Sequence, residues 1–305
     1  MINIFGLPSI LGCNKHGCEK APANIRQSGL FNALNSCGLS YEDCGDIEID
    51  NFFDNKIKPK NLYKFLELTE RSLNKILTLT KKQDINLYLG GDHSVAVSTV
   101  LADRMIYDDL FVLWIDDHAD VNSPESSPTG NIHGMPLSTI AGDSLYKYFD
   151  KYPFVKKENI IILGAKDVDD AEWDYIRKNN ISIYTIDDIV ERGIGDIWTE
   201  INDKINNKPL HVSLDIDCLD WEIAPGTGII NNGGMNYREI SFLARKISKQ
   251  NVVGIDIAEI NPDCDKQSKT LDLSVEIIAD MFGGKWTEYE RYLSNEKKTL
   301  SKNAY

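Results

Sequence analysis

Short apolar runs alternate with longer amphipathic stretches along this chain, and the alternation sets the expected fold. Runs rich in Ile, Leu, Val and aromatic residues lie at 2–5, 85–89, 110–115, 160–163, 210–214 and 252–257. Short, mostly apolar and followed by polar or glycine-containing punctuation, they predict strands. The stretch 61–82 has a different period. It places Leu62, Phe65, Leu66, Leu73, Ile76 and Leu77 on one helical face. Asn236 followed by Glu239 predicts a helix start, with Asn as the cap and Glu as the third helical residue. Pro22 suits the first turn of a helix running to about Ser36. Strand–helix alternation over the whole length predicts a single-domain, three-layer α/β/α fold with a mostly parallel central sheet. No repeat or linker divides residues 1–305, and the charged tail 285–305 reads as an interface element or a frayed end.

Composition narrows the class. Hydrophobic residues make up 42% and charged residues 26% of the 305, the balance of a water-soluble globular protein. No run approaches the ~20 apolar residues that span a bilayer. The first residues show neither a basic region nor a small-residue cleavage site, so a cytoplasmic location is expected. A net charge of −14 argues against a nucleic-acid partner, which needs a basic surface for phosphates. It would help attract a cationic ligand, although simple solubility is the better account of the charge alone. The six cysteines form no C-x-x-C pair and are expected as free thiols.

The chemistry sits just after the apolar runs, where ligands bind in open α/β sheets. Leu113-Trp114-Ile115 leads into Asp116-Asp117-His118-Ala119-Asp120. If strand alternation continues, Asp116, His118 and Asp120 share a face. The same spacing puts Asp215 and Asp217 together after the run 210–214. Gly90-Gly91 precedes Asp92-His93, and paired glycines permit a tight turn at a strand end. Taken singly, each group has a plain alternative: an acidic solvated loop, or a satisfied structural histidine. Together they supply two imidazoles and four carboxylates. That is too much negative charge for one divalent ion and suits two. Oxygen-rich ligation without thiolate favours a hard ion such as Mn²⁺ over structural zinc. Two such ions lower the pKa of a shared water.

These segments also carry a resemblance. The stretches Gly90–Ser94, Asp116–Asp120, Ser123–Gly134, Ser213–Asp217 and Asp256–Pro262, in this order, are similar to the motifs of the ureohydrolase superfamily, and their spacing is most like that of its arginases. The likeness runs from about Phe5 to Gly283. It implies an arginase/deacetylase-like fold and cleavage of the L-arginine guanidinium to L-ornithine and urea by attack of a metal-activated hydroxide. It implies two Mn²⁺ ions. His93, Asp116, Asp120 and Asp215 would hold one. Asp116, His118, Asp215 and Asp217 would hold the other. It makes His133, together with Asp120, the proton relay, and Glu259 the guanidinium anchor by charge-assisted hydrogen bonds. It places Asn122, Ser127, Thr129 and Asn131 at the substrate α-carboxylate, Asp169 and Glu172 at the α-ammonium, and Thr227 near the active centre. Trimers or hexamers are the implied assembly.

Several residues depart from the family pattern. Asp117 and Cys218 replace small residues, and Trp221 replaces a proline. Glu125 lies inside the carboxylate-binding stretch, where an inward carboxylate would repel an α-carboxylate. The competing readings are a sister ureohydrolase acting on agmatine, guanidinobutyrate or formiminoglutamate, a deacetylase on the same general fold, and a non-catalytic metal- or metabolite-binding protein. His93 and Asp217, beyond the ligands of a one-zinc deacetylase, speak against the second.

Overall fold

A computed structural model describes residues 1–230 and 232–284. The expected tail 285–305 lies outside the described residues. Eight strands form one sheet: β1 (Ile2–Leu7), β2 (Tyr41–Asp46), β3 (Ile85–Gly90), β4 (Phe111–Ile115), β5 (Ile160–Ala165), β6 (Ser182–Thr185), β7 (Leu210–Asp215) and β8 (Val252–Ala258). Their order is β2-β1-β3-β8-β7-β4-β5-β6, and every pairing is parallel. The helices are α1 (Ala21–Ile25), α2 (Phe31–Ser36), α3 (Leu62–Leu79), α4 (Ala96–Ile106), α5 (Pro136–Ile140), α6 (Asp170–Asn179), α7 (Ile186–Arg192), α8 (Ile194–Ile205), α9 (Tyr237–Ile247) and α10 (Lys269–Met281).

Continuous apolar strands feed two cores. Along β4, Phe111, Leu113 and Ile115 join one cluster while Val112 and Trp114 join the other. The first cluster is covered by α1, α2 and α7 to α10, the second by α3 to α6. Both faces are dry, which gives the three-layer fold expected of such strands. The two strands that the apolar pattern does not predict, β2 and β6, are the two edges of the sheet. An edge strand has one neighbour and need not be apolar on both faces; β2 reads Tyr-Glu-Asp-Cys-Gly-Asp.

Helix starts hold better than helix continuity. Asn236 caps α9 by accepting from the N–H groups of Arg238 and Glu239, and Glu239 bonds back to the Asn236 N–H. The helix expected from Pro22 to Ser36 is interrupted, because Gly29 takes φ +98 in its middle.

The topology creates one crevice. β4 continues to β5 on one side of the sheet, while its neighbour β7 continues to β8 on the other. The chain direction across the sheet reverses between them, and the space above their carboxyl ends is open to a ligand.

Candidate metal centre and active site

Four adjacent strands, β3, β8, β7 and β4, deliver their following residues to one point above the sheet. His93 follows β3. Its Nδ1 lies 3.0 Å from Asp116 Oδ2, 3.2 Å from Asp215 Oδ2 and 3.3 Å from Asp120 Oδ2. His118 Nδ1 lies 3.3 Å from Asp116 Oδ1 and 3.5 Å from Asp217 Oδ2. Five of the six predicted ligands therefore fall in two groups that share Asp116, His93–Asp116–Asp215 and Asp116–His118–Asp217, and Asp120 adjoins the first through His93.

The route to this convergence differs from the strand alternation expected. β4 ends at Ile115, so Asp116–Asp120 is loop. The Asp116 carboxylate turns that loop by accepting from the His118 N–H at 2.8 Å. Asp120 reaches His93 from a left-handed backbone conformation, φ +54. Asp215 Oδ1 likewise accepts from the Asp217 N–H at 2.9 Å and caps a short helical turn. Gly91 is required for space rather than for a special φ, because a Cβ there would stand 1.9 Å from the Ser9 carbonyl oxygen.

The donor set fits divalent cations. Asp217 Oδ1 is buried and has no hydrogen-bond partner among the described residues, a costly arrangement unless a cation takes it. Burial, and then the Asp116 charge, pushes the Asp120 carboxyl up to about 7. The same causes raise Asp215 to about 6, and burial together with Asp215 raises Asp217 well above its ordinary value. Burial would lower the two imidazoles, yet their carboxylate neighbours outweigh it: His118 rises to about 12 and His93 also rises strongly. The upward shifts all express a surplus of buried negative charge, which divalent cations would offset.

Behind the ligands runs a buried polar chain. Ser213 Oγ donates its single hydrogen to Asp256 Oδ1 at 2.5 Å. It must therefore accept from His93 Nε2–H at 2.9 Å, which leaves Nδ1 free for a cation. Asp256 Oδ2 faces His211 Nε2 at 2.7 Å, and His211 Nδ1 faces Asp103 Oδ2 at 2.7 Å. Trp114 stacks on the His93 ring at 4.0 Å and donates Nε1–H to Asp116 Oδ2 at 2.9 Å. Ser213 and Trp114 were not singled out in the sequence. The signal for Ser213 was its i−2 position to Asp215, on the same face of β7.

A cavity of about 240 Å³ opens from the ligands. Its lining includes His118, Asp120, Asp215, Asp217 and His133. His133 Nδ1 lies 3.0 Å from Glu259 Oε1. Burial opposes protonation of His133, but Glu259 outweighs it and raises the imidazole to about 9. Glu259 also accepts from the His93 N–H at 3.0 Å and the Cys18 thiol at 3.6 Å. Asn122, Ser127, Thr129, Asp169 and Glu172 line it as well, and Asn122 Nδ2 donates to Asp169 Oδ2 at 3.1 Å. Glu172 is fixed by the N–H groups of Val121 and Asp169, at 3.1 and 3.0 Å.

Asn131, Thr227 and Glu259 are not among the lining residues. Asn131 is held between Lys60 Nζ at 2.9 Å and the Cys13 carbonyl at 3.2 Å. Thr227 is buried, with a hydroxyl that has no partner among the described residues. Glu125 is exposed and points to Ser123 Oγ at 2.8 Å. Asp167 and Ile229 are further lining residues that the motif reading assigned no role.

Among the described residues, no helix is long and apolar enough to cross a membrane. Residues 1–283 match the Arginase family. The arginase of Plasmodium berghei is 38% identical over 302 residues, covering 88% of this chain and 85% of that one. The arginase of Bacillus subtilis is 34% identical over 290 residues, covering 93% and 98%. A crystal structure of arginase from Bacillus subtilis superposes with a TM-score of 0.89 at 33% identity, covering 94% of this chain and all of that one. The chain is therefore a member of the arginase family, within the ureohydrolases, and an enzyme that hydrolyses guanidino groups.

Proposed function

We propose that this protein hydrolyses L-arginine to L-ornithine and urea, using two Mn²⁺ ions held by His93, Asp116, His118, Asp120, Asp215 and Asp217. The observation that carries the reading is the polarity of one cavity. Its lining combines candidate metal ligands with His133, whose Nδ1 lies 3.0 Å from Glu259 Oε1. The same lining carries hydroxyl and amide groups at Ser127, Thr129 and Asn122 and the carboxylates Asp169 and Glu172. L-Arginine has the matching three charges: a guanidinium, an α-carboxylate and an α-ammonium.

When bound, the ions supply Lewis acidity that brings the pKa of a water toward neutrality. The remaining work falls to side chains. Glu259 presents carboxylate lone pairs to the planar guanidinium fork. His133 holds a proton on Nε2, its Nδ1 being engaged by Glu259, and delivers it to the departing amine. Asp169 and Glu172 orient the α-ammonium. Ser127 and Thr129 accept from the N–H groups of Gly130 and Asn131, so each keeps its hydroxyl hydrogen for the α-carboxylate. Because both ends of the amino acid are read by polar groups, a substrate lacking one leaves buried groups unpaired and is rejected strongly.

The test is urea release from Mn²⁺-loaded protein, with L-arginine and agmatine assayed side by side and a chelated sample as control. Turnover of L-arginine well above agmatine, abolished by chelation, is expected. Preference for agmatine would refute the substrate, and chelator-insensitive turnover would refute the metal centre.

A further inference from the structure

The carboxylate end of the cavity is built on a loop, and two lysines hold that loop from behind. Residues 127–131 turn at Gly130, whose φ is +72. Lys60 donates its backbone N–H to the Gly130 carbonyl at 2.9 Å and its Nζ to Asn131 Oδ1 at 2.9 Å. Lys58 Nζ donates to the Ser127 carbonyl at 2.6 Å. The Lys58 stem lies so close that a Cβ on Gly130 would stand 2.9 Å from its Cγ. The lysine-bearing segment is itself fixed. Asn61, which is 1% exposed, donates its N–H to the Asp54 carbonyl at 2.7 Å and its Nδ2 to the Leu11 carbonyl at 2.8 Å.

This placement matters because the charged lining residues beyond the metal ligands and His133 are acidic: Asp167, Asp169 and Glu172. A substrate carboxylate entering such a pocket meets repulsion unless positive charge stands near its own subsite. The two ammonium groups stand at the back of the loop that carries Ser127 and Thr129. They polarise the Ser127 peptide and the Asn131 amide through direct hydrogen bonds.

We propose that Lys58 and Lys60 are positioning residues that set specificity: they latch the 127–131 loop and make the cavity accept guanidino substrates that end in a carboxylate. The inference rests on the L-arginine reading above. The lysines touch no reacting atom, so they govern binding and not the bond-breaking step.

The experiment compares wild-type protein with Lys58→Met, Lys60→Met, the double Met variant, and Lys58→Arg and Lys60→Arg, all Mn²⁺-loaded and checked for an unchanged melting temperature. The readouts are kcat and KM for L-arginine, and inhibition by L-ornithine and by putrescine, the same diamine without the carboxylate. Each Met variant should raise the L-arginine KM and the L-ornithine inhibition constant roughly tenfold, with kcat and putrescine inhibition nearly unchanged. The Arg variants should stay close to wild type. High salt should weaken L-ornithine binding in wild type more than in the double Met variant. Equal weakening of L-ornithine and putrescine, or a fall in kcat alone, would mean a plain structural tether and overturn the proposal. Wild-type turnover of L-arginine with KM unmoved in the Met variants would overturn it while leaving the substrate reading intact. A wild-type preference for agmatine would overturn both.

Discussion

The buried chain behind the metal ligands yields a quantitative prediction at His211. The imidazole is fully buried and lies 2.7 Å from a carboxylate on each side, Asp103 and Asp256. Burial alone would lower its pKa, yet the two aspartates raise it from 6.5 to about 9. The His211 bond and charge in turn hold Asp256 below its ordinary value, against the opposing effect of its burial. A folded pKa above the unfolded one means that the native state binds the proton more tightly. The stabilisation is fully present below pH 6.5 and is lost as pH rises through about 9. The gap corresponds to about 3 kcal/mol. In His211→Asn this charge-dependent part is absent, and two buried carboxylates lose their cation. Urea denaturation of wild type and variant across that pH range is the assay. The variant should be less stable by about 3 kcal/mol at pH 6. The difference should narrow to less than about 1 kcal/mol near pH 9.5. Taking the difference cancels titrations common to both proteins. A deficit that stays constant with pH would refute the reasoning, because it would show that His211 contributes packing, including its stacking on Tyr88 at 6.1 Å, and not charge.

Two further outcomes follow from the cavity. His133→Asn should lower kcat for L-arginine by roughly 10²–10⁴-fold with little change in KM, measured by steady-state urea release; an unchanged kcat would remove His133 from proton transfer. The Glu172 carboxyl is raised to about 7, burial outweighing the bonds it accepts from the Asp169 and Val121 N–H groups. It therefore ionises as pH rises through neutrality. L-Ornithine inhibition should tighten over that range in wild type and lose the dependence in Glu172→Gln; a parallel pH profile in the variant would refute the assignment.

The sheet and the metal cradle were legible in the sequence for a physical reason. Strands buried on both faces are mostly apolar, so β3, β4, β7 and β8 announce themselves in spite of Asn86, His211, Ser213 and Asp256, and the polar residues at their carboxyl ends stand out against that background. The edge strands lacked the signal because their side chains are only partly buried. The D-x-H-x-D spacing pointed to residues that do converge, but through a different geometry: their convergence depends on the Asp116 carboxylate turning its own loop and on the left-handed Asp120, neither of which is encoded by alternation. Asn131 shows the opposite limit. Its amide is occupied by Lys60 and by the Cys13 carbonyl, residues distant in sequence, and no local pattern reports such a partner.

The departures from the family pattern sort by the same logic. Cys218 is fully buried in the core cluster beneath the β7 end, where a small apolar side chain only fills space. Trp221 is 44% exposed and is not among the lining residues of the cavity. Glu125 would oppose a substrate carboxylate only if it faced inward. Its carboxylate accepts from Ser123 Oγ on the exposed side of the loop, and that bond holds it below the ordinary range, so it stays ionised facing water. There its field is screened over about 8–10 Å at ordinary salt. Lys58 bonds the Ser127 carbonyl and Lys60 the Asn131 amide, in direct contact with the loop that carries the carboxylate subsite. Two ammonium groups thus contact the loop directly while its acidic residue faces water, and the placement of charge relative to the cavity wall, more than the residue count, is what the Lys58 and Lys60 variants test.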